Sequence, residues 1–306
     1  MQRAPIVFLP PEMIQSLNPE MSNAEGSEDQ LDGLSAWDVA MRYHELKSKK
    51  SLKHRAPELR ALSVRAVMQR AQAVMGSVTH PVRPALSLWN EVPHQALDPE
   101  IDVEETLEAS GAATDEVWMN YRIKTAQSVV VALDTSLSMT GDKLALTAVA
   151  LAVVLLQFPE DPVGMIAFEN EATILKHHDE KVSVEKLIAR FLDVPCQGYT
   201  HLEEGMKSAL RMCTKMRRRG VSPPSVILLT DGKYTAGRDP SYLASRFEHL
   251  VVVKMGKDRA GTPLCRDLAQ RGHGQLKEVS ELEQLPSAMY SIVKELLRGQ
   301  SKRSIA

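Results

Sequence analysis

Cysteine is scarce in this chain of 306 residues: Cys196, Cys213 and Cys265 are odd in number, widely spaced and form no Cys-x-x-Cys pair. That excludes the disulfide framework of a small secreted domain and a thiolate zinc site, and it points to reduced thiols in a cytosol. Charge of one sign is also missing. The 39 acidic residues nearly cancel the 37 basic ones, leaving −2, so no global field draws the chain to nucleic acid or to a membrane surface. Long hydrophobic runs are missing too. The most apolar stretch, Leu144 to Phe158, is interrupted by Thr147 and falls short of the roughly 20 residues of a membrane span; it predicts a buried helix instead. Before Pro10 and Pro11 there are only a few apolar residues, too few for a secretory core segment. A Gly-x-x-x-x-Gly-Lys-Ser/Thr loop is absent, which argues against ATP hydrolysis of that type. These absences leave a soluble, cytoplasmic protein.

What is present, in the C-terminal half, is an alternation of strands and helices. Ser128 to Leu133 and Ser225 to Thr230 are β-branched, apolar runs suited to strands buried on both faces of a parallel sheet. Val163 to Phe168 and Leu250 to Met255 read the same way. A short strand over Ala172 to Lys176 follows after only three polar residues, Glu169 to Glu171. So short a connection predicts an antiparallel hairpin, because a parallel crossover needs about a dozen residues. Helices are expected over Ser183 to Leu192, over Leu202 to Arg219 with Gly220 as its stop, and over Glu281 to Leu297. The basic run Lys215 and Arg217 to Arg219 falls in a last helical turn, where cations favour the dipole. The expected fold class is α/β: a Rossmann-like, doubly wound, mostly parallel sheet with one antiparallel edge strand, preceded by a smaller, mainly helical region.

Asp134-Thr-Ser136-Leu-Ser138 closes the first strong strand and Asp231-Gly232 closes the second, with Gly198-Tyr-Thr200 between them in sequence. Carboxyl ends of neighbouring parallel strands line a shared crevice, and spacing two lets the Asp134, Ser136 and Ser138 side chains point the same way. The set is all oxygen, two carboxylates and three hydroxyls, which suits a hard ion such as Mg²⁺ or Mn²⁺. Each fragment also has a plain structural reading. Asp and Ser at a strand end cap turns, and Thr200 with Glu203 matches a capping box at the start of a helix.

Taken in order, Asp-x-Ser-x-Ser, Gly-x-Thr and Thr-Asp-Gly resemble the metal-ion-dependent adhesion site (MIDAS) of von Willebrand factor A (VWA) domains. The resemblance spans residues 125 to 298 and leaves none of the five ligand positions substituted. It implies that Asp134, Ser136 and Ser138 hold the ion, that Thr200 binds directly or through water, that Asp231 acts through water, and that a partner protein's carboxylate fills the sixth position.

The N-terminal third divides into a polar, flexible segment over residues 1 to 34, a helical region with a proline-rich linker over 35 to 93, and a lead-in over 94 to 124; residues 299 to 306 read as a disordered basic tail. Two helices are expected, Ala36 to Lys50 and Pro57 to Met75, the second with Leu59, Leu62, Val64, Val67, Ala71 and Val74 on one face and Arg60, Arg65 and Arg70 on the other. Trp89 in the linker is expected to anchor against the next domain. The lead-in carries Asp102-Val-Glu-Glu-Thr106-Leu. This segment, ahead of the metal motif and behind a helical region, is similar to bacterial VWA proteins that serve MoxR-type AAA+ ATPases, such as CoxE-like proteins and the D subunit of magnesium chelatase. The implied function is an adaptor or co-chaperone linking such an ATPase to a client protein under assembly or metal insertion.

Two other classes compete. RNA binding would use the basic cluster Lys47, Lys49, Lys50, Lys53, His54 and Arg55, although the balanced charge speaks against nucleic acid. Metal-assisted hydrolysis would need a general base; no obvious one adjoins the predicted rim, and Glu169 or Glu203 would be a guess. His177 and His178 are adjacent on an edge strand and are expected at the surface. The chain is therefore read as a binding protein, not an enzyme.

Overall fold

In the computed structural model the described residues are 33–76, 82–109, 116–136, 141–196 and 198–301. The chain clusters into Met1–Leu34 and Ser35–Ala306; the second unit holds every element below. The flexible segment expected at 1 to 34 lies, up to residue 32, outside the described residues.

A six-stranded sheet organises this unit. Its strands are β4 (Val129–Asp134), β5 (Val163–Phe168), β6 (Ala172–Lys176), β7 (Ser225–Thr230), β8 (Leu250–Met255) and β9 (Leu276–Val279), in the order β6-β5-β4-β7-β8-β9. All neighbours are parallel except β5 and β6. The antiparallel edge and the mostly parallel sheet are as the sequence predicts. β4, β5, β7 and β8 are buried along their whole length, which explains their unbroken apolar runs.

One face of the sheet, with Val130, Ala132, Ile166, Val226 and Leu228, clusters with α7 (Leu202–Arg218) and α9 (Thr262–Arg271). Elsewhere α5 (Asp142–Gln157) is packed by α3 (Ala56–Val74), α6 (Val184–Leu192) and α10 (Leu285–Ser301). Being surrounded, α5 buries Leu144 through Leu155 on every side, so it needs no polar face. The short α8 (Ser241–Ala244) completes the α7 side. α10 continues to Ser301, beyond the expected helix end at Leu297, while residues 302–306 of the expected tail lie outside the described residues.

The N-terminal helices differ from expectation in detail. The first is two short helices, α1 (Ala36–Met41) and α2 (Tyr43–Ser48), broken at Arg42 and followed by a 3-10 segment over Lys50–Arg55. α1 opens with a Ser35–Asp38 capping box. α3 carries the expected face, with Leu59, Val64, Val67 and Ala71 buried.

The proline-rich linker is extended, but it is also paired. β1 (Val82–Leu88), β2 (Leu97–Ile101) and β3 (Trp118–Lys124) form a three-stranded antiparallel sheet in the order β1-β3-β2, and α4 (Val103–Ala109) lies between β2 and β3 in sequence. Trp89 is 68% exposed, so it does not serve as the expected anchor. The Tyr121 side chain of the central strand is the one buried there.

Candidate metal centre

Parallel pairing sets Asp134 opposite Phe168 of β5 and Leu133 opposite Leu229 of β7, so the three chains leave the sheet at one rim. Asp134 is 1% exposed. Its Oδ1 accepts the Ser136 N–H at 3.0 Å and its Oδ2 accepts the Thr230 hydroxyl at 2.8 Å. Burial pushes its pKa up to about 6, in spite of hydrogen bonds from Ser136 and Thr230, and the nearby Asp231 charge adds to the rise. The carboxylate is thus held by neutral donors, and no ion pair among the described residues includes it. A buried carboxylate in this state gains from a neighbouring positive charge.

The loops around Asp134 are fastened to one another. Thr135 donates its N–H and its hydroxyl to the Phe168 carbonyl, at 2.8 and 3.1 Å. From the next residue, the Glu169 Oε2 accepts the Gly198 N–H at 2.8 Å, and the Glu169 carbonyl accepts the His201 N–H at 2.8 Å. Asn170 Oδ1 accepts the Tyr199 N–H at 2.8 Å. This clamps the segment that carries Thr200, which is buried. Thr200 is in turn tied to the loop after Asp231: its N–H donates to Thr235 Oγ1 at 3.0 Å, and its carbonyl accepts the N–H groups of Thr235 and Ala236 at 3.0 and 3.3 Å. Asp231 is partly exposed and accepts the Lys233 N–H on Oδ1 at 2.9 Å. Gly232 turns the chain there with φ 78°, and a Cβ would stand 2.5 Å from the Gly261 carbonyl oxygen. That turn is open to glycine alone.

Asp134, Ser136, Thr200 and Asp231 are therefore carried on one network of loops, while Ser138 lies outside the described residues. Sequence reading missed Thr135, Thr230 and Thr235, which hold the loops together without being candidate ligands. The available signal was that Thr135 and Thr230 each directly adjoin a motif aspartate.

Two expectations are corrected. Thr200 and Glu203 form no capping box, because the helix starts at Leu202 with His201 as its cap and no side-chain cap bond. Glu203 is instead buried against α8, where it accepts Tyr242 Oη at 2.5 Å and the Arg238 N–H at 3.0 Å and pairs with Lys207 at 2.6 Å. These partners hold its pKa down at about 2, which suits it poorly to act as a general base near neutral pH. Glu169, the other candidate base, is spent on the Thr200 loop. His178, expected at the surface, is buried just past the edge strand. The three cysteines are buried and free, and burial pushes each thiol up to about 12.

Three members of the basic cluster, Lys47, Lys49 and Arg55, are engaged internally. Lys47 and Arg60 both pair with Asp193 at the end of α6, Lys49 pairs with Glu45 and Arg55 with Glu58. At the end of α7, Arg217 reaches Glu248, and Arg219, the cap residue that follows the helix, reaches Asp179.

This architecture is the von Willebrand factor type A fold, and residues 129–233 match the family model for that domain. No curated relative matches the chain. Among solved structures, BatB of Bacteroides thetaiotaomicron is 21% identical, covering 58% of this chain and 100% of that one, with a TM-score of 0.45. A von Willebrand factor type A protein of Catenulispora acidiphila is 14% identical over 73% of this chain and 51% of that one, at 0.47. Proximal thread matrix protein 1 of the mussel byssus, solved with a zinc-occupied MIDAS motif, is 16% identical over 56% of this chain and 48% of that one, at 0.47. The chain thus spans about half the length of the mussel protein.

Proposed function

We propose that the domain is a metal-dependent protein-binding module and not an enzyme. Asp134, Ser136, Ser138, Thr200 and Asp231 would hold a divalent cation, Mg²⁺ or Mn²⁺, through oxygen donors. The carrying observation is Asp134: a carboxylate 1% exposed, at the rim, held by neutral donors and raised to about 6 by its burial. The donor chemistry fits such an ion, since hydroxyls and carboxylates are hard ligands. When bound, the cation supplies a coordination position that takes an Asp or Glu side chain of a partner protein. The Thr135, Glu169 and Thr235 clamps would then fix the loop geometry that the partner meets.

The particular partner we propose is a MoxR-type AAA+ ATPase, with this chain as adaptor to a client complex; the acidic lead-in and helical region support that reading by resemblance. A cytoplasmic setting fits it, and no helix among the described residues is long and apolar enough to cross a membrane. Calorimetric titration of Mg²⁺ tests the site: Asp134→Ala is expected to abolish binding while the far-ultraviolet spectrum stays unchanged. Binding retained in the variant refutes the ligand assignment. Co-purification with trapped nucleotide, with and without EDTA, tests the partner; absence of any ATPase counts against the adaptor role.

A further inference from the structure

A cavity of about 850 Å³ lies away from the metal centre, beside the start of β5 and the end of β6. Its walls include the apolar side chains of Leu155, Phe158, Val163 and Leu187. Two buried polar groups also line it, Lys176 and His178. The Lys176 ammonium donates to the carbonyls of Val163 at 2.7 Å and His177 at 3.2 Å. An ammonium has three protons to donate, so one remains. Lys176 belongs to no ion pair of the described residues; the Glu180 charge acts on it only from a distance, and a buried ammonium without a carboxylate in contact is costly. His178 is 5% exposed, and neither ring nitrogen has a hydrogen-bond partner among the described residues.

The acidic groups at the cavity are occupied or outward. Asp179 stands 3.9 Å from His178 Nδ1, beyond hydrogen-bond reach, and pairs with Arg219. Glu180 pairs with Arg190 at 2.8 Å and accepts the His177 N–H at 3.2 Å. Asp161 accepts the Gln127 N–H at 2.6 Å, and Glu160 is exposed. What the cavity lacks is an acceptor for one ammonium proton and for one imidazole N–H, next to an apolar wall.

We infer that this cavity binds a small carboxylic acid with an apolar tail, its carboxylate accepting from Lys176 Nζ and from the His178 ring and its tail lying along Leu155, Phe158, Val163 and Leu187. A carboxylate supplies two acceptor oxygens and a negative charge in direct contact with the ammonium. This site is independent of the metal centre, and chelator leaves it unaffected.

The test is calorimetric titration of the full chain in EDTA with hexanoate, against hexanol as the uncharged control. Saturable hexanoate binding is expected, with hexanol at least about ten-fold weaker. Lys176→Met keeps the apolar stem and removes the ammonium, and is expected to bring hexanoate down to the hexanol level. Equal binding of acid and alcohol, absence of saturable hexanoate binding, or undiminished binding by folded Lys176→Met would each overturn the inference. If that variant does not fold, the unaltered protein decides: hexanoate should move the assigned nitrogen resonances of the His178 ring, and unmoved resonances at saturation would overturn it.

Discussion

Replacing Asp193 with alanine should loosen the N-terminal helices from the sheet domain, because this carboxylate is one of the places where the two regions are joined, beside the packing of α3 on α5. It accepts the Tyr43 hydroxyl at 2.8 Å and the Arg60 guanidinium at 2.7 Å, and it also holds Lys47. Next to it, the His44 ring bonds the Leu192 carbonyl at 2.8 Å. Tyr43 is 1% exposed, so the variant leaves its buried hydroxyl proton without an acceptor, with Arg60 alone still bonding the oxygen, at a cost of about 1–2 kcal/mol. Lys47 and Arg60 are partly exposed, with side chains 35% and 41% accessible, so each lost ion pair adds only about 0.5 kcal/mol. The total is about 2–3 kcal/mol. Urea unfolding reads it, and Trp37 fluorescence localises it, since that ring sits beneath the Arg70 guanidinium in the same helical region. Tyr43→Phe removes the stranded hydroxyl, so the double variant should recover about 1 kcal/mol. The Asp193 carboxyl is raised by burial, but the Lys47 and Tyr43 hydrogen bonds outweigh this and hold it below its ordinary value of 3.8. Its contribution is therefore full above that value and fades as pH falls below it. Strict additivity of the two substitutions, or a loss below about 0.5 kcal/mol, would refute the joint.

Gly205→Ala should weaken both the fold and the metal centre: the new Cβ would sit 2.5 Å from the Phe168 ring. Overpacking costs about 1–3 kcal/mol against a helix-propensity gain of about 1; the Phe168 carbonyl anchors Thr135, so Mg²⁺ affinity measured by calorimetry should fall as well. Glu203→Gln should remove an acid-side stability slope. The native carboxyl, at about 2 against an ordinary 4.5, contributes stability above 4.5 that is lost as pH falls toward 2, so melting temperatures of the two proteins should converge in acid. The thiols of Cys196, Cys213 and Cys265, buried and raised to about 12, should ignore a disulfide reagent until the protein is denatured; stoichiometric labelling of the native state would contradict this.

The elements legible in the sequence are those whose burial leaves no choice of residue. β4, β5, β7 and β8 are covered on both faces and so had to be written as continuous apolar runs. The β5–β6 hairpin was legible because three residues cannot carry a parallel crossover. β9 was not: its four residues, Leu276–Val279, include Lys277 and Glu278, and an edge position permits charge. The small sheet was hidden by its prolines. Pro84 and Pro99 sit in β1 and β2, the two outer strands, where a missing N–H is tolerated; β1 reads as linker and β2 as lead-in until β3 is seen between them.

The candidate ligands were legible for a different reason: oxygen donors at strand ends follow from strand position, which sequence reveals. Their support was not, because it runs through contacts distant in sequence. Glu203 shows the difference. Its spacing from Thr200 satisfies a local capping rule, but Lys207, Tyr242 and the Arg238 N–H offer it stronger, charge-assisted bonds. Once Glu203 is taken by them, the helix begins at Leu202, and Thr200 is held through its backbone by Thr235. That backbone tether spares the Thr200 hydroxyl from a capping role. The failure of the local rule at this position and the availability of the residue to the rim therefore have one physical cause.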